Sequence, residues 1–182
     1  MNKCKSIAWL AVGALLAVSP IVSPVAKAAD APDSEQVSKM LSEAKTMAYQ
    51  LKEDAYEMET FTRMTVSWQS HAAALSQIKE HANALGRQAA KLKEVRNSAS
   101  PWQKTAIDRM EPYLDELGGY ISAAIEHVND KKHNLAEYND YLEANADYTA
   151  DLATMIANFV DYGKTRQRLE RLGSKLEIPA AR

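Results

Sequence analysis

Four histidines, His71, His81, His127 and His133, carry the side chains best suited to chemistry, because imidazole binds metal, ligates haem and moves protons. His71 and His81 stand ten residues apart, about 15 Å along one helix, and do not share an ion. The string Asn97-Ser98-Ala99-Ser100-Pro101 reads as a turn, and His71 and His127 are equally far from it in sequence. Antiparallel helices on either side therefore bring these two to one level, where Glu59 and Glu137 also arrive. Two imidazoles and two carboxylates suit Zn, Cu or Ni, so His71, His127, Glu59 and Glu137 form a candidate metal site. The competing reading is plainer: His71 lies on an apolar seam beside Trp68, where a hydrogen-bonded histidine closes a bundle end without metal.

Other chemistry lacks its residues. There is no Gly-rich phosphate loop, H-E-x-x-H, G-x-S-x-G or EF-hand spacing. The E-x-x-H pairs of carboxylate-bridged di-iron bundles are missing, since Glu80-His81 and Glu126-His127 are adjacent and point about 100° apart on a helix. Methionines abound, yet no histidine falls in the body of the fourth helix to pair with one across a haem. With 22 basic against 24 acidic residues, the net charge of −2 gives no nucleic-acid signal. The expectation is a protein that is not an enzyme, holds no cofactor and binds no nucleic acid.

The elements that position these residues follow a leader. Lys3 and Lys5 precede the uncharged, mostly apolar stretch Ile7 to Val18, and Pro20 and Pro24 precede Ala26-Lys27-Ala28. That is the pattern of a cleavable signal peptide, residues 1–28, and it predicts a periplasmic or secreted chain. An uncleaved anchor is the alternative, but the apolar run falls short of the ~20 residues that cross a bilayer, so no integral span is expected after cleavage. The one cysteine, Cys4, leaves with the leader, and with it go thiol catalysis, c-type haem attachment and zinc-thiolate sites.

Beyond the leader the apolar residues recur in steps of three and four. Val37, Leu41, Ala44, Ala48, Leu51, Ala55 and Met58 form the seam of a first helix over 33–64. Leu75, Ile78, Ala82, Leu85, Ala89 and Leu92 form that of a second over 68–96, with Ser67 as its cap. Ser100, Pro101 and Gln103 open a third as a capping box, followed by Ile107, Met110, Leu114, Leu117, Ile121, Ala124 and Val128. Pro112 should bend it and Gly118-Gly119 loosen it. A fourth carries Tyr141, Tyr148, Leu152, Met155, Phe159 and Tyr162. Short loops make antiparallel neighbours, so the fold class is all-α, an up-down-up-down four-helix bundle over 29–163 with a long or broken C-terminal helix. A three-helix arrangement with the first two helices continuous through Thr65 is the alternative. Trp68 and Trp102 start helices at opposite ends and should plug them. Glu137, Asp140, Glu143, Asp147 and Asp151 put an acidic face on the fourth helix, either simply solvated or apt for a cationic partner.

Residues 164–182 differ in charge. They hold six bases and two acids, a net +4, whereas residues 30–163 are net −9. Leu169, Leu172 and Leu176 give this extension a narrow apolar stripe. It either lies back on its own acidic bundle or presents a surface to a protein partner, a second copy or anionic headgroups. Under the second reading Arg166, Arg168, Leu169, Arg171 and Leu172 carry the contact.

The strings Ser67-Trp68-Gln69-Ser70-His71, Ser98-Ala99-Ser100-Pro101-Trp102-Gln103 and Phe159-Val160-Asp161-Tyr162-Gly163-Lys164 resemble those of an uncharacterised group of exported bacterial helical proteins. That resemblance implies export and an all-helical fold and brings no activity, ligand or functional residue. The architecture is also similar to cytochrome b562-type bundles, from which the missing axial histidine of the fourth helix departs. The sequence thus predicts a non-catalytic, exported bundle that binds or scaffolds a partner in the cell envelope.

Overall fold

A computed structural model describes residues 31–132 and 136–176. Four helices, α1 (Glu35–Glu59), α2 (Trp68–Glu94), α3 (Pro101–Asn129) and α4 (Ala136–Lys175), pack in sequence order, and α4 closes the square against α1. Each of α1 and α3 thus lies between α2 and α4. Lys45 pairs with Asp161 and Asp33 faces Arg166, so α4 runs antiparallel to α1 and the bundle is up-down-up-down. Among the described residues no helix is long and apolar enough to cross a membrane.

The seams meet as their spacing requires. All seven residues of the α1 stripe, Val37 to Met58, are buried, and Leu75, Ile78, Leu85 and Leu92 of α2 meet Met110, Leu117, Ile121 and Val128 of α3 in one core. Each fully buried aliphatic side chain contributes about 1.5–3 kcal/mol, which outweighs any local propensity.

The first helix is shorter than its stripe suggested. After Glu59 the chain tightens into a 3-10 turn over Thr60–Arg63, in which the Thr60 and Thr62 hydroxyls bond back to the carbonyls of Glu57 (2.6 Å) and Glu59 (2.8 Å). Those side-chain bonds compete with the helical ladder. Ser67 then accepts from the Ser70 N–H at 3.2 Å and starts α2, so the three-helix arrangement does not form, and Met64 stands exposed.

One expectation for the later helices changes, the face that α4 buries. α3 is unbroken through Pro112 and Gly118-Gly119, all on its exposed side. α4 is long rather than broken: it continues past Gly163 and runs for 40 residues, about 60 Å at 1.5 Å per residue, against about 40 Å for its neighbours. Its core stripe differs from the tyrosine stripe read from sequence. Tyr138, Leu142, Asn145, Ala146, Thr149, Leu152, Ala153, Ile156, Ala157 and Val160 are buried, whereas Tyr141, Tyr148, Met155 and Phe159 flank the stripe and Tyr162 is half exposed.

The end of α3 is closed by Lys131 at φ 57°, with the Lys132 N–H bonded to the His127 carbonyl (2.7 Å) and the Lys131 N–H to that of Val128 (3.0 Å). This is the two-bond helix stop that ordinarily uses glycine. A Lys131→Gly chain should therefore be more stable by about 0.5–1 kcal/mol in a urea titration, the relief of a left-handed Cβ less the loss of a cation–π contact with Trp68.

Candidate functional site: the histidine end and the α4 arm

The N-terminus of α2, the C-terminus of α3 and the start of α4 meet at one end of the bundle. His71 is buried, and its Nδ1 shares a 2.8 Å hydrogen bond with the hydroxyl of Tyr138, which is fully enclosed. Phe61 meets the His71 ring edge-on at 5.1 Å, and Tyr138 meets it at 5.4 Å. His127 stacks on the other side of this group, 6.4 Å from the Tyr138 ring and 5.2 Å from that of Tyr141. Its Nδ1–H donates to the Ala123 carbonyl at 3.1 Å, and its Nε2 lies 3.5 Å from a Glu137 oxygen.

The four residues proposed for a metal are not gathered. Glu59 turns to Arg63 at 2.8 Å, and Tyr138 contacts both His71 and His127. Among the described residues no three of His, Cys, Asp and Glu converge as an ion would need, and His133 lies outside them. Equal distance from a turn fixes the height of two side chains along a bundle but not the direction in which each points.

Burial pushes the Tyr138 phenol well above its ordinary value. The folded chain then holds its proton after the unfolded chain has lost it, so this group's contribution is complete below about pH 10 and declines above. A Tyr138→Phe chain should show a shallower fall in stability than the parent above that pH, read as urea midpoints across an alkaline series. Tyr148 is pushed up to about 12, chiefly by its hydrogen bond to Glu116 and then by burial.

A second constellation escaped the sequence reading. His81 Nδ1 bonds to Asp54, whose other oxygen accepts from Gln77 at 2.9 Å, while Gln50 donates to His81 Nε2 at 3.4 Å. It bridges α1 and α2, and sequence spacing did not point to it, because a level that pairs Glu59 with His71 pairs His81 with Tyr49, five residues from Asp54. An acid–histidine pair of this kind orients an imidazole, but no nucleophile joins it among the described bonds.

At the opposite end, Trp102 closes the bundle as expected, whereas Trp68 is 42% exposed and plugs nothing. Trp102 Nε1–H donates to Asp33 at 2.6 Å, its ring meets Tyr162 edge-on at 5.7 Å, and Gly163 lies under it. Arg166 is half buried, 4.0 Å from Asp33 and 3.6 Å from Glu170. It belongs to the root of the extension rather than to its free surface.

From residue 167 onward α4 projects as an arm. Leu169, Leu172 and Leu176 are 64%, 46% and 67% exposed, and Arg168, Arg171 and Lys175 are exposed beside them. The arm therefore continues the helix away from the core instead of folding back onto the acidic bundle. Residues 177–182 lie outside the described residues.

Neither protein-family models, curated proteins nor solved structures give a match to this chain. The reading of the arm rests on its own chemistry. On α4 upstream of it, Asp140, Glu143, Asp147 and Asp151 are exposed, while Glu137 also accepts from the Tyr141 hydroxyl at 3.0 Å.

Proposed function

We propose that this is an exported, non-catalytic bundle protein that holds a partner in the cell envelope through the basic, leucine-bearing arm at the end of α4. One observation carries the reading: three leucines one helical turn apart stay in water on a helix whose hydrophobic work within the bundle ended at Val160. Such a stripe gains free energy only when something covers it, about 25 cal/mol for each Å² of apolar surface removed from water. The basic residues alongside select an acidic counterpart and speed the encounter. The leader pattern supports export, and the closed histidine end supports binding rather than turnover.

Deleting residues 167–182 should leave the thermal unfolding of the bundle within about 1 kcal/mol of the full chain, because residues 167–176 are exposed apart from Gly173. A photo-crosslinker at Leu172 should give a discrete adduct in intact cells, and one at exposed Glu53 should not. Background labelling alone at Leu172 would rule the proposal out.

A further inference from the structure

The groove between α2 and α3 is the surface best matched to that arm. Gly86, Ala89, Ala90 and Leu114 line a depression of about 330 Å³, rimmed on the α3 side by Asp108, Glu111 and Asp115. A Cβ placed on Gly86 would touch nothing within 4 Å, so this chain leaves the groove unfilled there. Asp108 and Glu111 are held by Arg96 (2.6 Å) and Lys93 (2.8 Å), pairs that are open to water and so readily exchanged for other partners. The neighbouring groove between α3 and α4 has one acid, Asp151, beside Arg109 over Phe159, whereas the α2–α3 groove has three acids beside Lys93.

Resting on the reading of the arm as a contact surface, we infer that its occupant is a second copy of this chain. The arm of each copy lies in the α2–α3 groove of the other, about a two-fold axis. Charge favours this pairing over arm against arm: residues 164–182 are net +4 and would repel their own kind, while residues 30–163 are net −9. The spacings agree as well. Arg168, Arg171 and Lys175 step by three and then four, as do Asp108, Glu111 and Asp115. Leu169, Leu172 and Leu176 repeat the same steps one residue on, so the leucines face the apolar floor while the bases face the acidic rim.

The topology brings the two stripes together in the same sense. Trp102, at the start of α3, sits against Gly163, so the groove opens near the end from which the arm leaves. Two copies set end to end place each arm parallel to the other's α3. From Arg166 to Leu176 the arm is about 15 Å long, and from Trp102 to Glu111 is about 14 Å, so the arm is long enough to pass Asp108 and Glu111. A two-fold exchange uses both arms and both grooves and leaves no open chain of contacts.

Sedimentation equilibrium of the chain expressed from Met1 tests this. The expected result is a dimer at low salt that weakens as salt is added. Arg168→Glu with Arg171→Glu should give monomers, and so should Asp108→Arg with Glu111→Arg. Mixing these two variants should restore a one-to-one dimer, because each arm then meets a groove of opposite sign; that rescue separates lost contact from lost fold. A parent chain that stays monomeric throughout the micromolar range, or variants that dimerise unmixed, would overturn the inference. So would a monomer whose arm binds anionic phosphatidylglycerol vesicles. If Leu172 still cross-links in cells while the chain is monomeric, the arm keeps its function and only the second copy is lost. No adduct at Leu172 removes both.

Discussion

Replacing Gln103 with alanine should lower the unfolding free energy by about 3 kcal/mol, a large loss for an uncharged side chain. Gln103 is fully enclosed, and its amide uses every hydrogen-bonding position it has. Oε1 accepts from the backbone N–H of Ser34 (3.0 Å) and of Ser100 (2.9 Å). Nε2 donates to the Ser34 carbonyl (2.9 Å) and to the Ser38 hydroxyl (2.9 Å). One side chain thereby ties the first turn of α1 to the first turn of α3, the two helices that the square keeps apart. Truncation strands two N–H groups, each costing about 1–3 kcal/mol if nothing replaces the bond, while the Ser34 carbonyl keeps the Ser38 N–H at 2.9 Å. Ser34 is half exposed and water can serve it, whereas Ser100 is sealed, so the loss is smaller than the sum. Gln103→Met separates polarity from volume, because it refills the space and returns none of the bonds. Urea titrations should place both variants well below the parent at unchanged slope. A loss under about 1 kcal/mol for Gln103→Met would mean that solvent takes over these bonds and that the amide is mainly a space filler.

That residue also marks how far the sequence could be read. The S-x-x-Q spacing announced the local half of its role, the bond to the Ser100 N–H. The other three bonds reach Ser34 and Ser38, more than sixty residues away, and no local pattern encodes them. The α1 stripe was fully legible because its large aliphatic residues are all on one face. α4 was not, because its buried face is built from Asn145, Ala146, Thr149, Ala153 and Ala157, types that serve equally well at a surface. The tyrosines drew the eye instead. They lie beside the stripe with their hydroxyls directed to acids, Tyr141 to Glu137 and Tyr148 to Glu116, as amphipathic rings at a boundary do. Thr149 satisfies its hydroxyl on the carbonyls of Asn145 and Ala146, which is how a polar residue enters such a core cheaply.

The candidate site divides along the same line. The basic, leucine-bearing character of residues 164–176 is written in the sequence, and so is its contrast with the acidic bundle. The direction of the arm is not, since whether a helix continues past Gly163 or breaks there depends on what packs against that glycine. The histidine end shows the complementary failure. His71 and His127 do reach one level, and Tyr138 takes the position where an ion would have bridged them.

Alanine at position 163 should destabilise the chain by about 2 kcal/mol, although helix propensity alone gives alanine an advantage over glycine of about 1 kcal/mol. A Cβ there would lie 2.6 Å from Trp102 Cη2 and 2.8 Å from Cζ2, closer than carbon atoms approach, and the contact falls on a rigid ring. Trp102 cannot swing aside freely, since its Nε1–H is bonded to Asp33 at 2.6 Å and its ring abuts Tyr162. Moving the ring breaks the bond to Asp33, the same carboxylate that faces Arg166 at the root of the arm. In a Trp9→Phe, Trp68→Phe background the emission of Trp102 should therefore shift to the red in Gly163→Ala as the indole gains water. Gly118→Ala and Gly119→Ala supply the contrast: both glycines are exposed on α3 with nothing within 4 Å of an added Cβ, so each should gain about 0.5–1 kcal/mol. If all three alanines stabilise the chain alike, the Trp102 ring does not rest on Gly163, and the arm is not seated on the bundle by that contact.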